Sequence, residues 1–144
     1  MKELKGRTKR RGFTLVELLI VIIIIGILAG AMMLVAGSGT AKAQATKIVS
    51  DLRTGKAAAL MCYAEESEWP TDVADLAAYL DKSLDHGEFQ FINSGDSFGY
   101  MGALMQDSKV TAQLQKIAEK EKNLYDDAGA EYTSGKGEIY VKVK

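Results

Sequence analysis

Few residues in this chain could do chemistry. Its single histidine, His86, and single cysteine, Cys62, leave no His/Cys cluster for zinc and no internal disulfide. Any Ser/His/Asp or Cys/His nucleophile would have to use His86. In Asp85-His86-Gly87 that histidine reads as a solvated turn residue. Cys62, among Leu60, Met61 and Tyr63, reads as a small apolar core residue, because no nearby base would lower its pKa. Asp126, Asp127 and Glu131 surround Gly129 and supply the hard oxygen atoms that Ca²⁺ prefers, although their spacing matches no defined loop and a solvated helix end competes. With no acid/base pair or phosphate loop in view, neither an enzyme nor a cofactor is expected. The one costly residue is Glu17. A carboxylate just inside an apolar helix costs about 2.5–3.5 kcal/mol on insertion scales, so its presence asks for a function beyond anchoring.

Glu17 is positioned by the run that follows it. Leu18 to Ala36 is nineteen residues without a charge. At about 1.5 Å per residue it nearly matches the roughly 30 Å hydrocarbon core of a bilayer. Residues 1–12 carry six Lys or Arg against Glu3 and are formally +5, which leaves the other 132 of the 144 residues at −6. Basic residues beside a span stay cytoplasmic, so the C-terminal body is expected outside. An acidic body also argues against nucleic acid as a partner. Three export readings compete. A cleaved secretory signal could use Ala41-Lys42-Ala43, but its apolar region is too long. A twin-arginine signal could use Arg10-Arg11, but Thr14-Leu15 does not continue it. Neither explains Glu17.

The third reading rests on residues 11–30, RGFTLVELLIVIIIIGILAG, which closely resemble the N-terminal signature of type IV pilins and type II secretion pseudopilins. The resemblance implies cleavage after Gly12 by a membrane-embedded prepilin peptidase, N-methylation of Phe13 and retention of the hydrophobic helix. It also implies that Glu17 pairs with the Phe13 amine as subunits assemble. An unpaired carboxylate in an apolar bundle is costly, and a cation within hydrogen-bond reach largely relieves that cost. A snorkelling acid near the headgroups is the competing reading. Trp69-Pro70-Thr71 resembles the aromatic-Pro-Thr turn after the first helix of many family members. Members usually carry a helix-bending proline in the span; this chain has Gly26 and Gly30 there instead.

Gly37-Ser38-Gly39 reads as the first flexible point, at the exit from the membrane. Beyond it Ala45, Ile48, Val49, Leu52, Ala59, Leu60 and Tyr63 form one helical stripe, so a single helix from Phe13 to about Glu66 is possible, roughly 80 Å long. Thr71 is expected to cap a short helix ending near Lys82, with Val73, Leu76, Ala77 and Leu80 inward. Residues 88–92 and 98–102 alternate around Asn93-Ser94-Gly95-Asp96 and predict a hairpin. A helix is expected over 108–124, capped by Ser108, with Val110, Leu114, Ile117 and Leu124 on its apolar face. A second hairpin is expected from Tyr132 to Val143 around residues 134–137.

The resulting expectation is an α+β, pilin-like fold: a long N-terminal helix, half transmembrane and half amphipathic, packed on a small antiparallel sheet with additional short helices. Residues 1–12 are read as a cleaved leader, 13–36 as the transmembrane and assembly helix, and 37–144 as the head. The expected function is a structural subunit of a type IV pilus-like filament. It begins as a single-pass inner-membrane precursor and ends in an extracellular pilus or a periplasm-spanning pseudopilus. Expected partners are further copies of the chain, the prepilin peptidase and an inner-membrane assembly platform. A type II secretion pseudopilin is the alternative, and a membrane-tethered binding protein or enzyme a more distant one.

Overall fold

The computed structural model describes residues 12–85, 87–92 and 94–144; the basic leader before Gly12, His86 and Asn93 lie outside the described residues. The chain divides into two units, one ending at Gly37 and one running from Ser38 to Lys144. Helix α1, Leu15–Glu66, is 52 residues long and contributes to both.

In the first unit α1 is apolar all round beyond Glu17, as a helix surrounded by lipid or by other helices must be. Every residue from Leu15 to Met33 is exposed, Ile and Leu included. By length and composition α1 is the one helix among the described residues able to cross a membrane. Gly37-Ser38-Gly39 does not break it, contrary to the expected flexible point. The two glycines weaken the helix by about 1 kcal/mol each, but extending an existing helix adds one hydrogen bond per residue, and the flanking turns carry it across.

In the second unit α1 supplies one wall of the core through Ala41, Ala45, Ile48, Val49, Leu52, Ala58, Ala59 and Cys62. Leu60 and Tyr63, expected on this stripe, are exposed instead. From Gly55 the buried path steps to Ala58, Ala59 and Cys62, at spacings that turn Leu60 and Tyr63 outward. The path passes through Gly55 because the Phe98 ring lies against it: a Cβ there would sit 2.1 Å from Phe98 Cε1. Tyr63 stacks on Trp69, ring centroids 4.2 Å apart.

The sheet has the order β1-β2-β3, all antiparallel, with β1 Phe89–Ile92, β2 Ser97–Tyr100 and β3 Ile139–Lys142. Register places Phe89 opposite Tyr100, Phe91 opposite Phe98, Phe98 opposite Val141 and Tyr100 opposite Ile139. These six share one face, since strand side chains alternate, and that face packs into the core. On the other face Tyr140 lies across Gly99, where a Cβ would come within 2.1 Å of its ring. The first hairpin is as expected. The second is not: Tyr132 is outside any strand, its N–H donating to Leu124 O at 3.0 Å, and β3 pairs with β2. Pairing with β2 buries Ile139 and Val141 against Phe98 and Tyr100, which a local hairpin with Tyr132 could not offer. At the outer edge of β3 Tyr125 exchanges two 2.8 Å backbone bonds with Tyr140.

Two helices are shorter than expected, and each is capped one residue from the expected position. The first is a single 3₁₀ turn, Val73–Leu76, capped by Asp72 in place of Thr71; Asp72 accepts from Ala74 N and Asp75 reaches back to Asp72 N. The three-residue repeat puts Val73 and Leu76 on one face, so one turn buries both and leaves Ala77 outside. The second, α2, is Ser108–Glu121, capped by the Asp107 carboxylate on Lys109 N in place of Ser108. Lys122, at φ 53°, ends it, and Leu124 enters the core from the loop.

Candidate functional site

Gly12, Phe13 and Thr14 precede the first turn of α1 in non-helical backbone. Gly12 has open space on its Cα, and Phe13 is 90% exposed. The Gly12-Phe13 bond therefore lies in an accessible segment outside the helix, the form in which a peptidase can reach a backbone.

Thr14 caps α1. Glu17 N donates to Thr14 Oγ1 at 3.2 Å, while Thr14 N and Oγ1 both donate to Glu17 Oε2, at 2.7 and 2.8 Å. This reciprocal arrangement is a capping box, which satisfies helix N-terminal amides that have no partner within the helix. Glu17 is thus held by its own first turn. Among the described residues its other oxygen, Oε1, has no hydrogen bond. Sequence reasoning missed Thr14; the signal was the spacing in Thr14-Leu15-Val16-Glu17, a threonine followed three residues later by glutamate at the head of an apolar run.

The candidate calcium ligands do not converge. Asp126 is buried, which corrects the reading of a solvated helix end, and its Oδ1 accepts from Ala128 N at 3.1 Å and Ala130 N at 2.9 Å. Lys136 Nζ lies 3.3 Å from its Oδ2 and 3.9 Å from Asp127. Burial alone would raise the Asp126 carboxyl; the amide of Ala130 and the Lys136 ammonium outweigh it and hold it below the ordinary aspartate value. Asp127 and Glu131 are exposed, and no three His, Cys, Asp or Glu among the described residues form a metal-holding group. The reason is local: the turn back to Ala130 places two amides and a lysine where a cation would have to sit. Cys62 is buried and free, and burial, then Glu66, pushes its thiol up, so it is unreactive packing.

Residues 7–33 match the prokaryotic N-terminal methylation motif. Over 101 residues the chain is 34% identical to the type II secretion system core protein G of Klebsiella michiganensis, covering 70% of this chain and 69% of that protein. Over 65 residues it is 38% identical to a fimbrial protein of Neisseria meningitidis serogroup A, covering 45% of this chain and 38% of that one. The fold is similar to that of the major type IV pilin PilA1 from Clostridium difficile, with a TM-score of 0.56 and 20% identity over 74% of this chain and 98% of that one. An apolar helix capped at its start, a methylation motif across that cap and a head built on the same helix are together the marks of a filament subunit and not of an enzyme, and this chain belongs to the pilin and pseudopilin family.

Proposed function

We propose that the chain is made as an inner-membrane precursor with its head outside, is cut between Gly12 and Phe13 by a prepilin peptidase, is methylated on the new amine and is then drawn by a membrane assembly platform into a type IV pilus-like filament. The observation that carries this reading is the uncovered apolar helix: Leu15 to Met33 is exposed on every side. That surface requires lipid before assembly and neighbouring helices after it, since a bundle of such helices removes it from water as lipid does. The cut leaves Phe13 as a cationic N-terminus four residues before Glu17, whose Oε1, without a hydrogen bond among the described residues, can accept from it or from a neighbour's amine.

A short pseudopilus serving secretion is the second reading, favoured by the 34% identity to a type II secretion core protein over most of both chains. Electron microscopy of sheared cell-surface fractions separates the two. Long filaments that vanish when the gene is deleted support the pilus; their absence, with the mature subunit retained in the envelope, supports the pseudopilus.

A further inference from the structure

Between α1 and α2 the second unit has a groove of about 680 Å³. Val49 and Ile117 give it an apolar floor, and Lys42, Lys116 and Lys120 line it as cations. Arg53, also in the groove, is paired with Glu121, but among the described residues no carboxylate lies at ion-pair distance from Lys42, Lys116 or Lys120. A basic, apolar-floored groove fits an acidic segment with exposed apolar side chains. The last turns of α1 are such a segment: Leu60 and Met61 are 44% and 57% exposed, beside exposed Glu65 and Glu66.

Between residues 65 and 88 acids outnumber Lys and Arg eight to one. Tyr79 Oη donates to Glu65 at 3.0 Å and Glu66 at 3.4 Å, but it brings no positive charge. The last turn of α1 has no basic residue, so both glutamates face the negative end of the helix macrodipole, an unfavourable placement that an outside cation relieves. One chain cannot supply that cation from its own groove. Lys42 and Arg53 are on the same helix as Glu66, about 36 and 20 Å away along its axis at 1.5 Å per residue.

We propose that the α1–α2 groove receives the acidic end of α1, residues 60–66, from a second copy of the chain. The contact joins two different surfaces of identical subunits, and a heterologous contact whose rotation does not close a ring propagates as an open helical array. It rests on the filament reading above and adds a contact between heads to the one between apolar helices, setting which neighbour fits and in what register.

The test uses the full chain as sole subunit, with filament yield in the sheared fraction as the readout and envelope level of mature subunit as the folding control. Lys116→Glu with Lys120→Glu is expected to lower yield about tenfold or more, and Glu65→Lys with Glu66→Lys likewise, because each sets like charges together. All four substitutions in one chain are expected to restore yield to within about threefold of wild type, since opposite charges again face each other. Reversals without effect, or a four-fold variant no better than the two-fold ones, overturn the proposal; in the latter case the groove takes another occupant, such as anionic lipid. For variants that fail the folding control, a Lys120→Cys copy is co-expressed with a Glu66→Cys copy. A disulfide-linked dimer in filaments, absent when either copy is alone, supports the contact, and filaments without that dimer overturn it. A wild-type strain without long surface filaments overturns the pilus reading itself, and the paired-cysteine dimer is then sought in the envelope, where its absence overturns the contact.

Discussion

Both donors of Thr14, its backbone N–H and its hydroxyl, converge on a single oxygen of Glu17, at 2.7 and 2.8 Å. The carboxylate is therefore oriented before any partner arrives, with one oxygen engaged and the other without a hydrogen bond among the described residues. Glu17→Ala is expected to insert and to be cleaved, because removing the charge lowers the insertion cost and leaves the Gly12-Phe13 junction intact. Filament yield is expected to fall when it is the sole subunit, and mixed expression with wild type should show reduced incorporation. Thr14→Ala removes the cap at about 1 kcal/mol and should reduce yield less than Glu17→Ala, while Thr14→Ser, which keeps both donors, should match wild type. Normal filament numbers from Glu17→Ala, with cleavage verified, would remove its assembly role.

Processing is read by intact mass. The mature chain is expected to lack residues 1–12 and to carry one added methyl group. A chain beginning at Gln44 would mean that Ala41-Lys42-Ala43 is the cleavage site and that the apolar helix is discarded.

One substitution at two positions of α1 should have opposite signs. Gly55→Ala would place a Cβ 2.1 Å from the Phe98 ring, which is locked between Phe89 and Phe91. Overpacking of this kind costs about 1–3 kcal/mol, more than the gain in helix propensity returns. At Gly39 a Cβ meets nothing within 4 Å, and Ala should stabilise by up to about 1 kcal/mol. Thermal unfolding of the full chain in detergent measures both; equal shifts would contradict the packing described.

Asp126 gives the head a dependence on acid. Its carboxyl is held below the ordinary aspartate range in the fold, the Ala130 amide and Lys136 outweighing the effect of burial. A depressed folded pKa contributes stability that is present above the unfolded value, about 3.9, and is lost as pH falls through the folded one. Melting temperature should therefore drop more steeply below about pH 4 in wild type than in Asp126→Asn, which should also be less stable at neutral pH. Parallel curves below pH 4 would show that Asp126 is not the group responsible. Added Ca²⁺ should leave the melting temperature unchanged, because Lys136 and two amides already occupy the carboxylate; a rise would restore the calcium reading.

What the sequence determined by itself is what depends on neighbours in the chain. The apolar span, the Gly12-Phe13 junction, the Thr14-Glu17 spacing, the end of α1 before Trp69-Pro70 and the hairpin around Gly95 are all written within a few consecutive residues, since helix turns, caps and tight turns are satisfied locally. Tertiary structure decided the features whose partners are far apart in the chain. It set β3 beside β2 because Ile139 and Val141 are covered there by Phe98 and Tyr100. It turned Leu60 and Tyr63 outward because the core reaches α1 through Gly55. It brought Lys116 and Lys120 alongside Lys42. Spacing along one strand or helix shows which residues share a face, but which face is covered depends on residues about forty or more positions away.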